Sequence, residues 1–337
     1  MSGRVNWLSD KSTPISYGGQ AVIEGVMFGG KHVNVTAVRR KNNEIKFLEV
    51  PREDKAWVRK LRKIPLLRGI VSLIDSTIKG SKHLNYSADA YADDTLEPEE
   101  REKQKEKEDS GWSLSMIIGV AAVSVLSFVF GKLLFTLVPV FVEDFFFGDT
   151  FDHYIVHNLI EGVIKLILLL VYLWAISQTP VIKRLFQYHG AEHKVISAFE
   201  AGEELTVKNV QKYTRLHYRC GSSFMMLTIV LGVVVYSVVP WDTMTQRVIQ
   251  RIALLPVVLG VSFEFLKLTN AMRDLPVLRF LGYPGLWLQL LTTKEPTDDQ
   301  VEVSIASFNR MRELDAQYEN VTVHQSVTGS VLDPAKG

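Results

Sequence analysis

Four long apolar runs, at about residues 113–142, 154–177, 222–240 and 249–267, constrain this chain more than any other feature. Each is close to the roughly 20 helical residues needed to cross about 30 Å of hydrocarbon, so the sequence predicts four transmembrane helices. The first is longer than a span requires and is expected to tilt, or to break near Gly131-Lys132 or Pro139. Basic residues set the orientation. The segment between runs one and two carries Glu143, Asp144, Asp149 and Asp152 but no Lys or Arg. The segment between runs two and three carries Lys183, Arg184, Lys194, Lys208, Lys212, Arg215 and Arg219, and Lys267, Arg273 and Arg279 follow run four. This bias predicts a multi-pass membrane protein with both termini and the segment between runs two and three in the cytoplasm.

Lys132, Glu161, Lys165 and Glu264 lie inside these runs, where an ion is costly. Snorkelling at helix ends, with Glu161 neutralised by Lys165 four residues on, accounts for them more simply than a proton or solute pathway. Four spans without internal repeats or paired broken helices are also a poor transporter pattern.

The first 92 residues differ in kind. HVNVTAVRR (32–40) and EIKFLEV (44–50) alternate apolar and polar residues around an Asn-containing turn, which predicts a β-hairpin; residues 20–28 offer a third strand. The glycine pairs flanking that strand match neither G-x-G-x-x-G nor a P-loop, so a nucleotide site is excluded. Trp57 to Tyr91 reads as an amphipathic helix, with Leu66, Ile70, Leu73, Ile74 and Ile78 on its apolar stripe and a basic cluster suited to anionic headgroups. Residues 93–110 are almost entirely charged and form a linker.

The expected fold is therefore an α-helical membrane protein with a cytoplasmic α+β part, built from a small N-terminal antiparallel sheet and amphipathic helices. Its parts are a β-rich segment with its helix (1–92), the linker (93–110), two transmembrane hairpins (111–177 and 222–267) and a cytoplasmic helical hairpin between them (178–221). An interfacial and helical segment (268–318) and a disordered tail (319–337) complete the chain. A net charge of +1 gives no case for nucleic-acid binding, and a single cysteine, Cys220, allows no intrachain disulfide.

The chemistry concentrates in the 178–221 segment. YHGAEHKVISAFE (188–200) sets His189 and His193 four apart with Glu192 between them, the H-x-x-E-H order of inverzincin metallopeptidases. On a helix both imidazoles reach one ion, and a neighbouring carboxylate can take a proton from bound water. Spacing does not fix the further ligands: Glu200, His217, Cys220 and Glu24 are all candidates. A second helix is expected at about 206–216, capped by Thr206, which would bring His217 and Cys220 back toward the histidine pair. Against this stands the plainer reading of an amphipathic surface helix and a small buried cysteine.

Four blocks, GGQAVIEGVMFGG, QYHGAEHKVISAFEAGE, TRLHYRCGSSF and PGLWLQLLTTKEP, together resemble the YqhQ family of bacterial polytopic membrane proteins over about residues 16–315. Members are catalogued as predicted metal-dependent enzymes. The resemblance implies metal ligands among His189, His193, His217 and Cys220, with Glu192 as the catalytic group, and supplies no reaction. The expected function is a zinc-dependent hydrolase at the inner membrane face. The alternative is a non-catalytic adaptor that docks on another membrane protein complex, such as insertion or quality-control machinery. In either case the lipid bilayer is a partner.

Overall fold

The computed structural model describes residues 17–52, 56–95, 131, 134–218, 220–272 and 278–329. The chain is mostly helical, with one small sheet at its N-terminal end.

The sheet is an antiparallel meander of β1 (Gly18–Val22), β2 (Gly25–Gly29), β3 (Val33–Arg39) and β4 (Ile45–Pro51), in that spatial order. The expected hairpin is β3–β4. The expected single strand 20–28 is instead a hairpin of its own, folded back at Ile23-Glu24 so that Val22 pairs with Gly25. Glu24 takes φ 53°, the left-handed conformation this tight reversal needs. Burial of both sheet faces explains why β3 is apolar or small almost throughout. Val26, Phe28, Val33, Val35 and Ala37 belong to the main core, while Val22 and Val38 pack with Ala90 of a helix on the other side.

That second-side helix is α2 (Leu67–Thr95), preceded by the short α1 (Ala56–Leu61). The single helix expected over 57–91 is broken around Pro65, with Leu66 at φ 67°, since a proline ring clashes with the preceding helical turn. From α2, His83 places Nδ1 2.6 Å from Thr36 Oγ1 in β3. The first face is covered by the last helix, α11 (Asp298–Gly329). Its Ser307 hydroxyl contacts the carbonyls of Val26 and Val35 at 2.9 and 3.1 Å. Its Asp315 accepts the backbone N–H groups of Lys31, His32 and Val33 at 2.6, 2.8 and 3.2 Å. The helix continues past Tyr318 to Gly329, into the stretch expected to be disordered.

The apolar part is reached through a helical stretch at 134–147, called α3, and then α4 (Tyr154–Ile176). After α5 (Pro180–Glu200) and the one-turn α6 (Val207–Val210) come α7 (Gly221–Val238), α8 (Met244–Ala253), α9 (Leu255–Ala271), a 3₁₀ turn (Leu278–Gly282) and α10 (Tyr283–Thr292). Among the described residues, α4 and α7 are long and apolar enough to cross a membrane. The pair α8–α9 makes a third only if taken as one span bent by 48°. Four clear spans are thus not seen. The first run lies mostly outside the described residues, Lys132 with it, and the fourth is broken where Pro256 opens a new helix.

The bend has a purpose for buried charge. It carries Arg247 and Arg251, both fully buried, against α4 and α3. Glu161 accepts from Arg251 Nη2 at 2.6 Å and from Arg247 Nη2 at 3.0 Å. Glu143 accepts from Arg247 Nη1 at 2.7 Å and faces His157 Nδ1 at 2.7 Å. Glu161 is therefore neutralised across helices, where the sequence reading gave it Lys165 on its own helix. Glu264 is likewise bonded to Arg68 of α2.

Candidate metal centre

Helix α5 opens with Pro180 in its first turn and runs twenty-one residues to Glu200. Its Tyr188, Ala191, Val195, Ile196 and Ala198 enter the main core against the sheet and α11. That packing fixes its rotation, and with it the direction of His189 and His193, one turn apart. Gly190 allows the close approach of the segment after α10. A Cβ there would stand 2.1 Å from the Lys294 carbonyl oxygen, and the Lys294 N–H donates to Phe186 O at 2.8 Å.

Both rings are held from behind. His189 Nδ1 lies 2.8 Å from the Thr292 carbonyl, and His193 Nδ1 lies 2.6 Å from the Arg215 carbonyl. A carbonyl can only accept, so each Nδ1 carries the proton and each neutral ring presents an Nε2 lone pair on its other side. Both rings face one thiol: His189 Nε2 is 3.2 Å from Cys220 Sγ, and His193 brings its own ligand atom into the same group. One ligand atom from each of His189, His193 and Cys220 lies within 4.8 Å of the others. Ligands of a tetrahedral zinc ion at ordinary bond lengths stand about 3.3–3.6 Å apart, so closing on an ion needs contraction of about an ångström. Backbone carbonyls fixing the tautomer from the second shell are the usual support of metal-bound imidazoles.

Cys220 reaches the cluster because it caps α7, with its sulfur accepting the Ser222 N–H at 3.4 Å. The approach is a loop, however, and not the second arm of a helical hairpin. The helix expected at 206–216 is only Val207–Val210, capped by Thr206 as anticipated. Residues 211–218 are irregular, tied down by Lys194 Nζ donating to the Gln211 carbonyl at 3.1 Å and by Arg215 Nη1 donating to the Thr293 carbonyl at 2.5 Å. The backbone of His217 is bracketed by Gln289, which accepts its N–H and donates to its carbonyl, each at 2.8 Å.

The remaining candidates fall at graded distances. The His217 ring is 5.6 Å from that of His193, and its Nε2 is 3.8 Å from Glu200 Oε2. This pair flanks the three-residue cluster without joining it. Glu24 is directed elsewhere, held by Arg184 through two contacts of 2.5 Å and by the Tyr188 hydroxyl at 3.3 Å. Glu192 is buried beside the cluster. Burial pushes its carboxyl above the usual range, while His189, His217 and the Gly19 N–H pull it partly back. Burial also holds His193 below the ordinary imidazole value, favouring the neutral ring that binds metal. A cavity of about 320 Å³ opens onto His189, Glu192, His193, His217 and Cys220, and is lined also by Tyr17 to Ala21. The arrangement can hold a divalent cation on two nitrogens and a sulfur, with one coordination position facing space that a small molecule can enter.

Sequence reasoning missed Thr292 and Arg215, which act through their carbonyls and so leave no side-chain signal. It also passed over Arg247 and Arg251, whose spacing of four beside acidic helices was the available clue.

Residues 64–314 match the family described as Protein of unknown function (DUF1385). Across 312 residues the chain is 54% identical to "Uncharacterized protein YqhQ" of Bacillus subtilis (strain 168), covering 93% of this chain and 97% of that protein. The chain belongs to the DUF1385 family. The family match includes His189, Glu192, His193, His217 and Cys220. No solved structure matches this DUF1385 member.

Proposed function

We propose that this DUF1385 protein is a metal-dependent hydrolase of the bacterial cytoplasmic membrane. His189, His193 and Cys220 hold the ion, zinc by the softness of the donor set. The observation that carries the reading is the gathering of ligand atoms from His189, His193 and Cys220 within 4.8 Å of one another while both Nδ1–H groups are anchored on carbonyls. A bare histidine cluster on a surface helix has no reason to be supported in this way.

A zinc ion in such a site lowers the pKa of water and polarises a carbonyl or phosphoryl oxygen. Glu192 accepts the proton that the attacking water gives up; its buried carboxyl, raised above the usual range, holds that proton better than an exposed glutamate. His217, paired with Glu200, stands where it can orient a substrate oxygen. The excess of Lys and Arg in the segments between and after the apolar helices supports a topology with this site and both termini on the cytoplasmic side, and with four spans if the first apolar run is counted.

Full-length protein purified without chelator should contain about one zinc per chain. His189→Ala with His193→Ala should reduce this to background while the protein stays in the membrane fraction. Glu192→Gln should keep the metal and abolish the phenotype rescued by the wild type. Metal at background in the wild type, or full rescue by Glu192→Gln, would leave the adaptor reading in its place.

A further inference from the structure

We propose that the substrate is an extended peptide that adds as a fifth strand to the outer edge of β1; this rests on the hydrolase reading above. Strand β1 is terminal in the sheet order, and among the described residues no strand pairs with its outer side. Gly18 and Gly19 on that edge are exposed. The Gly19 N–H reaches the Glu192 carboxylate and not β2. In an antiparallel ladder the backbone groups alternate in direction, so Gly19 and Ala21 both present N–H and C=O away from β2. With the Gly19 N–H engaged by Glu192, the Gly19 carbonyl and both polar groups of Ala21 are left for a ligand.

This edge and the metal cluster line one cavity, Tyr17 to Ala21 together with His189, Glu192, His193 and Cys220. Its volume, about 320 Å³, is at the lower end for ligand sites, enough for the residues flanking one bond with the chain continuing along the open edge. Gly19 permits the close approach of strand and helix here, since a Cβ would stand 2.5 Å from the Met27 carbonyl oxygen and 3.1 Å from the Glu192 side chain. Backbone pairing supplies affinity without reading sequence, and pockets beside the strand supply preference. Here Leu185, Phe186 and Ile196 line the cavity and favour an apolar side chain next to the cut bond. A lipid phosphate fits less well, because no Lys or Arg is among the described residues lining the cavity.

The step is hydrolysis. Water oxygen bonds to the peptide carbonyl carbon, the C–N bond breaks, and Glu192 passes the proton taken from water to the departing amine. The products are a carboxylate and an amine, with no redox change.

The test uses wild-type protein as purified and three probes followed by calorimetry: acetohydroxamate, N-acetyl-Leu-Leu hydroxamate, and that peptide with both leucine amide nitrogens N-methylated. The dipeptide should bind at least about tenfold tighter than acetohydroxamate, the value of two net backbone hydrogen bonds, and N-methylation should remove most of the gain. Equal affinity for all three, with zinc present, overturns the strand-addition proposal and leaves the metal reading standing. So does displacement of acetohydroxamate by dihexanoyl phosphatidylglycerol without any gain for the dipeptide. No binding of any probe to protein that also lacks zinc removes the hydrolase reading, and this proposal with it.

Discussion

His83 gives the head of the molecule a pH dependence of known sign. The ring is 1% exposed, sits between α2 and β3, and makes its Nδ1 contact with Thr36 Oγ1 at 2.6 Å. Burial, with Lys82 nearby, pushes its pKa down to about 4 from the usual 6.5. The folded protein therefore keeps His83 neutral at pH values where the unfolded chain has protonated it. Below 6.5 the unfolded state binds more protons, so stability is full above that value and falls as pH drops toward 4. Between pH 8 and pH 5 the loss works out at about 2 kcal/mol for this one group. His83→Asn keeps a hydrogen-bonding partner for Thr36 and removes the titration. The measurement is thermal unfolding of both proteins in detergent from pH 8 to pH 5. The wild type should lose more stability than the variant, by a difference that grows steadily below pH 6.5. Parallel pH profiles for the two proteins would refute the argument.

Three further outcomes follow from the packing. Gly190→Ala drives a methyl group into the Lys294 carbonyl and should displace the segment that anchors His189, lowering zinc content and costing about 1–3 kcal/mol; unchanged metal content by elemental analysis would contradict this. Asp315→Ala leaves three backbone N–H groups of the 31–33 turn without their acceptor and should cost about 2–3 kcal/mol, read as a lower melting temperature. Glu161→Gln leaves the buried charge of Arg251 without a carboxylate, while Arg247 keeps Glu143, and should destabilise by about 3–5 kcal/mol, seen as loss of detergent-extractable folded protein, whereas Lys165→Gln should have a much smaller effect.

What could be read from the chain beforehand depended on how local its cause was. The β3–β4 hairpin was legible because alternation and an Asn-containing turn are both short-range signals. The β1–β2 reversal was hidden, because AVIEGVM reads as one apolar run unless Glu24 is given a positive φ that sequence does not advertise. His189 and His193 were legible from helical spacing alone, and Cys220 was among the open candidates. Choosing Cys220 over His217 needed the loop 211–218, whose course is set by contacts to Gln289, Thr293 and Glu295 from a distant part of the chain. The partner of Glu161 was misread for a similar reason. Helical spacing offered Lys165, but a low-dielectric interior rewards the pair with better geometry, and the break before Pro256 brings two guanidinium groups to the carboxylate.

The position of Cys220 joins the two halves of the molecule at the site. Its backbone starts α7, a helix long and apolar enough to span a bilayer, while its sulfur touches a histidine of α5, whose other face is built into the sheet core. Gln289 of α10 closes the same junction, linking the His217 carbonyl to the Ser223 hydroxyl at 2.8 and 3.0 Å in the first turn of α7. An ion held by His189, His193 and Cys220 would therefore tie the sheet-bearing head to the spanning helix, at the point where an irregular loop is otherwise the covalent connection. Metal loss should loosen the head against the helices before it unfolds either part. That order predicts faster amide exchange first in residues 211–222, with the β2–β3 core unchanged, when chelator is added to the purified protein.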